Sequence, residues 1–203
     1  MVLEHEKAWS PLTVLSVAKI FEKANFPWWI AGGYAIEAAV GNKIREHADI
    51  DVLVLRCDQA DVHQYLRQWE CWAADPPGRL RYWNANETLN NAIKDIWCRK
   101  SPEDSWRFQL MLADVSGHYW VSRYDGHVKA SLDDITRIDS DGVHYLAPHI
   151  QLYYKAKSPR SKDQLDFDAV VGMMSAKERA WLHQAISTSF SKSHDWLKRL
   201  DSF

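Results

Sequence analysis

A chain of 203 residues that is 46% hydrophobic and 26% charged has the composition of one folded domain or two small ones, which excludes a wholly disordered protein. Lys and Arg number 25 against 27 Asp and Glu, and the net charge of −2 excludes a strongly basic nucleic-acid protein while leaving room for a local basic site. Cys57, Cys71 and Cys98 are odd in number without a CxxC pair, the start MVLEHEKAW lacks the basic and apolar regions of a signal peptide, and no stretch reaches the ~18 apolar residues of a membrane span.

Ser10-Pro11 reads as an N-cap and first helical residue, and Leu12, Leu15, Ala18 and Phe21 keep helical spacing, so a helix is predicted over 11–24. Phe26-Pro27 ends it. Trp28–Ala31 reads as a short strand, Gly32-Gly33 as a turn, and Tyr34–Val40 as a short helix stopped by Gly41. Asp49–Leu55 is a buried strand by its β-branched content, Asp58 caps a helix to Trp69, and Asp75-Pro-Pro-Gly78 is a loop. Between Leu80 and Leu146 the segments RLRYW, DIWCR, WRFQLML, HYWVS and GVHYL are strand-like. Helices return after Pro148 (HIQLYYKAK), after Ser161 (KDQLDFDAVVGMM), over 175–187 behind the capping box of Ser175 and Glu178, and around Trp196 and Leu200. The reading is α+β, with residues 1–147 as a sheet-bearing domain and 148–203 as a helical C-terminal segment.

The densest chemistry lies between Gly32 and Asp51. Glycine lets the backbone approach a phosphate, and a helix that starts there offers free N–H groups and a positive dipole end. Asp49 and Asp51, two apart on a strand, point to one side while Ile50 faces the core. Two adjacent carboxylates repel unless a cation lies between them, and Mg²⁺ accepts one or two carboxylates together with substrate phosphates. If the strand extends upstream, the same alternation brings Arg45 and His47 to that line, a set suited to a metal-bound polyphosphate.

Gly-Gly, a short helix and then Arg45-Glu-His47-Ala-Asp49-Ile-Asp51 resembles the signature of the small antibiotic nucleotidyltransferases of the polymerase-β-like superfamily, lincosamide and aminoglycoside 2″-O-nucleotidyltransferases above all. The likeness covers residues 28–54. It implies a nucleotidyltransferase-type mixed sheet with flanking helices. It implies Mg²⁺ on Asp49 and Asp51, nucleotide phosphates at Gly32 and Gly33, and transfer of a nucleoside monophosphate from a nucleoside triphosphate, ATP foremost, to a hydroxyl. A second run, Lys155-Ala-Lys157-Ser-Pro-Arg160-Ser-Lys162-Asp163-Gln-Leu-Asp166-Phe, resembles the C-terminal segment of the same enzymes. There the basic residues stand near the phosphates, which assigns Lys155 and Lys162 to the triphosphate tail, and the acidic pair steadies the turn.

The resemblance also implies a third carboxylate on a later strand. In WRFQLML the face of Arg107, Gln109 and Met111 has none. Asp114 just past that strand, Asp95 and Glu87 are the alternatives, though beside Ala and Val-Ser-Gly Asp114 reads more readily as a strand-terminating turn residue. The histidines, from His5 and His63 to His183 and His194, lack ligand spacing, and the many Trp residues read as core or as the lining of an acceptor pocket. The expected partners are a nucleoside triphosphate and a small hydroxyl-bearing acceptor of antibiotic type, with no membrane and no nucleic acid, in the cytoplasm. Three rivals are a nucleotidyltransferase acting on RNA or protein, a nucleotide-binding protein without transfer activity of toxin–antitoxin type, and a scaffold with a merely structural DID strand.

Overall fold

Ten strands and seven α-helices form among residues 8–203, the part of the chain that the computed structural model describes. They divide into two compact units. The first comprises the chain up to Ile30 together with His47–Val115; the second comprises Ala31–Glu46 and Ser116–Phe203. The boundary expected after residue 147 therefore falls inside the second unit.

The first unit is built on six strands: β1 (Trp28–Ile30), β2 (Asp51–Leu55), β3 (Glu70–Ala74), β4 (Leu80–Tyr82), β5 (Asp95–Arg99) and β6 (Phe108–Ser116). Their order is β4-β3-β5-β6-β2-β1, with β2 and β6 parallel and the other neighbours antiparallel. The near-continuous apolar run Val52-Leu-Val-Leu55 is what a central strand needs, and all four residues are buried. Helices α1 (Val14–Phe21) and α3 (Gln59–Tyr65) pack on the face that carries Phe108: Phe21 stacks on Tyr65 with centroids 6.0 Å apart and meets Phe108 edge-on at 6.0 Å.

The helix expected from residue 11 begins at Val14. Thr13 is its cap, its hydroxyl accepting from Ser16 N–H at 3.1 Å. The preceding residues are drawn off by pairing that local spacing does not reveal, Ser10 N–H to Trp106 O at 3.0 Å and Leu12 N–H to Arg107 O at 3.0 Å. Strand β3 fills the stretch between the helix expected to Trp69 and the loop at Asp75-Pro-Pro-Gly78, to which local pattern assigns no element. Its pairing with β5, Cys71 opposite Cys98 and Trp72 opposite Trp97, is a long-range choice.

The second unit holds α2 (Gly32–Val40), two antiparallel pairs and a helical group. The pairs are β7 (Tyr119–Val121) with β8 (Lys129–Ser131), and β9 (Thr136–Ile138) with β10 (His144–Leu146). The helices are α4 (Pro148–Ala156), α5 (Ser161–Val170), α6 (Ala176–Ser189) and α7 (Asp195–Leu200). Helix α4 is buried nearly all round, polar His149 and Gln151 included, and Lys155 is its one half-buried residue. Tyr153 is enclosed there; its hydroxyl exchanges hydrogen bonds with Ser122 and Ser189, both at 2.6 Å. No helix of the described residues is long and apolar enough to cross a membrane.

Candidate active site

In the first unit the DID segment enters the sheet through Ile50. Its side chain is fully buried, and its carbonyl accepts from Gln109 N–H at 2.9 Å, so the parallel ladder reaches one residue upstream of β2. Asp49 and Asp51 flank it, both half-buried; Asp51 is the first residue of β2 and Asp49 lies just ahead of the strand. The ladder goes no further: residues 41–50 form no strand, so the alternation expected to carry back through His47 and Arg45 stops. His47 is half-buried in the first unit, while Arg45 belongs to the second.

Asp51 stands directly opposite Gln109 on the parallel neighbour β6. An amide thus occupies the register position where the resemblance implies a carboxylate. Asp114 is not brought to it. Five residues beyond Gln109, it lies on the opposite face of the strand, between Arg56 Nε at 2.5 Å and Lys94 Nζ at 3.4 Å. Glu87 is held by Arg81 at 2.6 Å. Asp95 shares the face of Asp51 but pairs with Met111, one pleat further along. Among the described residues no group of three or more His, Cys, Asp and Glu could hold a metal ion. Two half-buried carboxylates two residues apart do fit Mg²⁺, which takes one or two carboxylates together with phosphate oxygens and water.

In the second unit, Gly32 and Gly33 form the first turn of α2 rather than a turn ahead of it. Gly32 has φ +68°, a conformation that favours glycine, and its N–H donates to the buried side chain of Gln151 at 2.8 Å. Gln151 was not among the residues singled out from sequence. The only signal available was a lone amide within the apolar run HIQLYY.

The second unit also gathers the basic run around two buried carboxylates. Arg45 donates from Nε and Nη2 to Asp166, 2.9 Å each, a bidentate pair. Lys155 lies between Asp163 and Asp166 at 2.9 Å from each, with its side chain only 7% exposed. Arg160 donates to Asp163 from its side chain at 2.7 Å and from its backbone N–H at 3.0 Å, which makes Asp163 the cap of α5. Burial pushes both carboxylates up. The hydrogen bonds from Arg160 and Lys155 to Asp163, and from Arg45 and Lys155 to Asp166, outweigh it and hold both below the usual range. Lys162 sits half-buried in the first turn of α5. Two of the cations assigned to a triphosphate, Arg45 and Lys155, are therefore bound to aspartates of their own unit.

Against known proteins, residues 13–170 match the family model of aminoglycoside-2″-adenylyltransferases. Three solved structures share the fold. The lincosamide antibiotic adenylyltransferase LnuA in its lincomycin-bound form has a TM-score of 0.55 at 14% identity, over 81% of this chain and 100% of that one. ANT(2″)-Ia in complex with adenylyl-2″-tobramycin has 0.53 at 16%, over 86% and 95%. The solution structure of ANT(2″)-Ia has 0.52 at 15%, over 86% and 89%. No curated protein matches by sequence. The fold class read from the sequence, α+β of nucleotidyltransferase type, is the one these structures share, and the rival readings gain nothing from the matches. With its model matched over most of its length, the chain belongs to the aminoglycoside-2″-adenylyltransferase family and is a nucleotidyltransferase.

Proposed function

We propose that the protein transfers a nucleoside monophosphate, AMP foremost, from a nucleoside triphosphate to a hydroxyl of a small antibiotic-like molecule in the cytoplasm, with Mg²⁺. The observation that carries the reading is the Asp49-Ile50-Asp51 segment, with Ile50 locked into the sheet and a half-buried carboxylate on either side of it in the chain. Family membership and the antibiotic ligands of LnuA and ANT(2″)-Ia support it.

In this reading Asp49 and Asp51 would hold Mg²⁺, which when bound would supply charge neutralisation at the triphosphate. Gly32 and Gly33 let phosphate approach the start of α2, where the helix end favours an anion; the N–H of Gly32 is held by Gln151, which leaves that of Gly33 to the phosphate. His47 and Lys162 add hydrogen-bond donors, and Arg45 and Lys155 act through the rigid network with Asp163 and Asp166, whose three cations, counting Arg160, exceed its two carboxylates. Gln109, opposite Asp51, cannot take a proton. Its amide orients the acceptor hydroxyl or the Asp51 carboxylate, and the hydroxyl proton leaves to a phosphate oxygen or to water.

Thermal unfolding of the wild type and of Asp49→Asn/Asp51→Asn, with each of four nucleoside triphosphates and with or without Mg²⁺, tests it. A ligand at a hundredfold excess over its Kd stabilises by about 2.7 kcal/mol, about 5–10 °C at this chain length. We expect a rise that requires nucleotide and Mg²⁺ together and vanishes in the double variant, then pyrophosphate release when a hydroxyl acceptor is added. Superimposable curves at millimolar nucleotide would remove the two-aspartate site.

A further inference from the structure

The sheet of the first unit carries a row of side chains of which the transfer chemistry above uses only the first two. Strand register places Asp51 opposite Gln109, Gln109 opposite Trp97, Trp97 opposite Trp72, and Trp72 opposite Tyr82. Directly opposed residues share a face, so the row starts at a carboxylate of the reaction site and runs through an amide to two indoles and a phenol. At the ~4.8 Å spacing of neighbouring strands, Trp97 stands ~10 Å from Asp51 and Tyr82 ~20 Å, measured along the row. Trp97 and Trp72 are half-buried, and Tyr82 is 45% exposed. Trp9, itself half-buried, adds an edge to Trp97 with centroids 5.0 Å apart, held there because Ala8 and Ser10 pair with the backbone of Trp106.

The charge beside the row is already committed. The guanidinium of Arg99 lies 5.2 Å from the Trp72 ring centroid and 4.6 Å from that of Trp106, and its Nε donates to Glu70 at 2.7 Å. The cation-attracting faces of these rings thus have an occupant, and the carboxylate beside it is neutralised. Asp95, opposite Met111 and beside the row on this face, suits a single positive charge rather than a polyamine's several, and beyond Asp51 the row itself holds no carboxylate. Its rings offer broad apolar contact with little loss of side-chain freedom.

We propose that the row Trp97–Trp72–Tyr82, with Trp9, is the acceptor platform of the enzyme, and that it selects a hydroxyl-bearing molecule with one apolar face and at most one positive charge over a polycationic aminoglycoside. The inference rests on the transferase reading above, since Asp51 gives the row its reacting end. Stacking of the apolar face on Trp97 presents the adjacent hydroxyl towards Gln109 and Asp51.

Titrations of intrinsic Trp fluorescence test it, with Mg²⁺ and a non-hydrolysable ATP analogue present, using lincomycin and a neutral aryl glucoside against tobramycin. Lincomycin or the glucoside should bind more tightly than tobramycin. Trp97→Ala should weaken that binding about tenfold, and Tyr82→Ala, at an exposed position, about threefold. The rise in unfolding midpoint with Mg²⁺ and nucleotide should be unchanged in both variants, which also shows that they fold. Tighter binding of tobramycin, equal affinities in wild type and both variants, or no binding of either apolar-faced probe at millimolar concentration would overturn the platform. Loss of the nucleotide-dependent rise in the wild type would instead overturn the transferase reading, and the probe titrations would still report on the row.

Discussion

The molecule contains two pairs of aspartates that look alike on paper and differ in everything that surrounds them. Asp49 and Asp51 are two apart on an extended segment of the first unit, half-buried, with a fully buried Ile50 between them. Asp163 and Asp166 are three apart on α5 of the second unit, at 1% and 0% exposure, bonded to Arg160, Lys155 and Arg45. A buried carboxylate is tolerated only when cations and N–H groups replace water, so the helical pair has been provided for within the chain. The strand pair keeps part of its solvent, and under the proposed reaction it is the pair that would meet Mg²⁺. The two acidic pairs thus differ in what the fold asks of them: one is enclosed with its cations, and the other stays open to solvent.

The sharpest way to break this comparison is the same Asp→Asn change made in each pair. Asp166→Asn removes the partner of Arg45 and half the cage of Lys155, whose side chains are 14% and 7% exposed. Removing one member of a buried ion pair costs about 3–5 kcal/mol, so the unfolding midpoint should fall by about 10 °C. Asp51→Asn should leave the midpoint within about 2 °C while reducing transfer on the order of 10³-fold. Differential scanning calorimetry beside a pyrophosphate-release assay separates the two effects. A large stability loss from Asp51→Asn would show that the strand pair is structural after all.

Acid sharpens the contrast by a different route. Burial raises Asp163 and Asp166, and their cationic partners more than reverse this, so both ionise below the ordinary range in the folded protein. A carboxylate depressed on folding contributes stability above its unfolded pKa of about 3.9 and loses it as pH falls through the folded value. The midpoint should stay level from pH 7 to about pH 5 and then decline, more shallowly in Asp166→Asn. The decline should not vanish in that variant, because hydrogen bonds led by that from His149 also hold Glu178 low. A wild-type midpoint indifferent to pH between 5 and 3 would contradict the network.

What the sequence shows of this arrangement is the part encoded by local pattern. The β-branched run after Asp51 marks a central strand, and Ser175 with Glu178 forms the capping box read from their spacing. Errors arise where distant segments intervene. Helix α1 starts late because residues 10 and 12 are engaged by Trp106 and Arg107. Strand β3 exists through its pairing with β5. The partner of Arg45 lies 121 positions away, so a guanidinium that reads as a phosphate ligand is in fact clamped by Asp166. Asp114 shows the same limit, since its face and its pairing with Arg56 follow from register and from a residue 58 positions upstream.

The smallest effect tests where the network ends. Arg160 makes two side-chain bonds to Asp163, at 2.7 and 3.2 Å, yet its side chain is 64% exposed. Water competes for both groups, and such pairs are worth about 0.2–1 kcal/mol. Arg160→Ala should lower the midpoint by no more than about 2–3 °C, because Lys155 still holds Asp163 and the backbone N–H of residue 160 still caps the helix. The side chain at this position then matters mainly as a charge at the solvent-facing end of the cluster, and nucleotide affinity should become less sensitive to salt in the variant. A loss as large as that of Asp166→Asn would show that burial does not divide the network, and that Asp163 depends on its exposed cation as much as on its buried one.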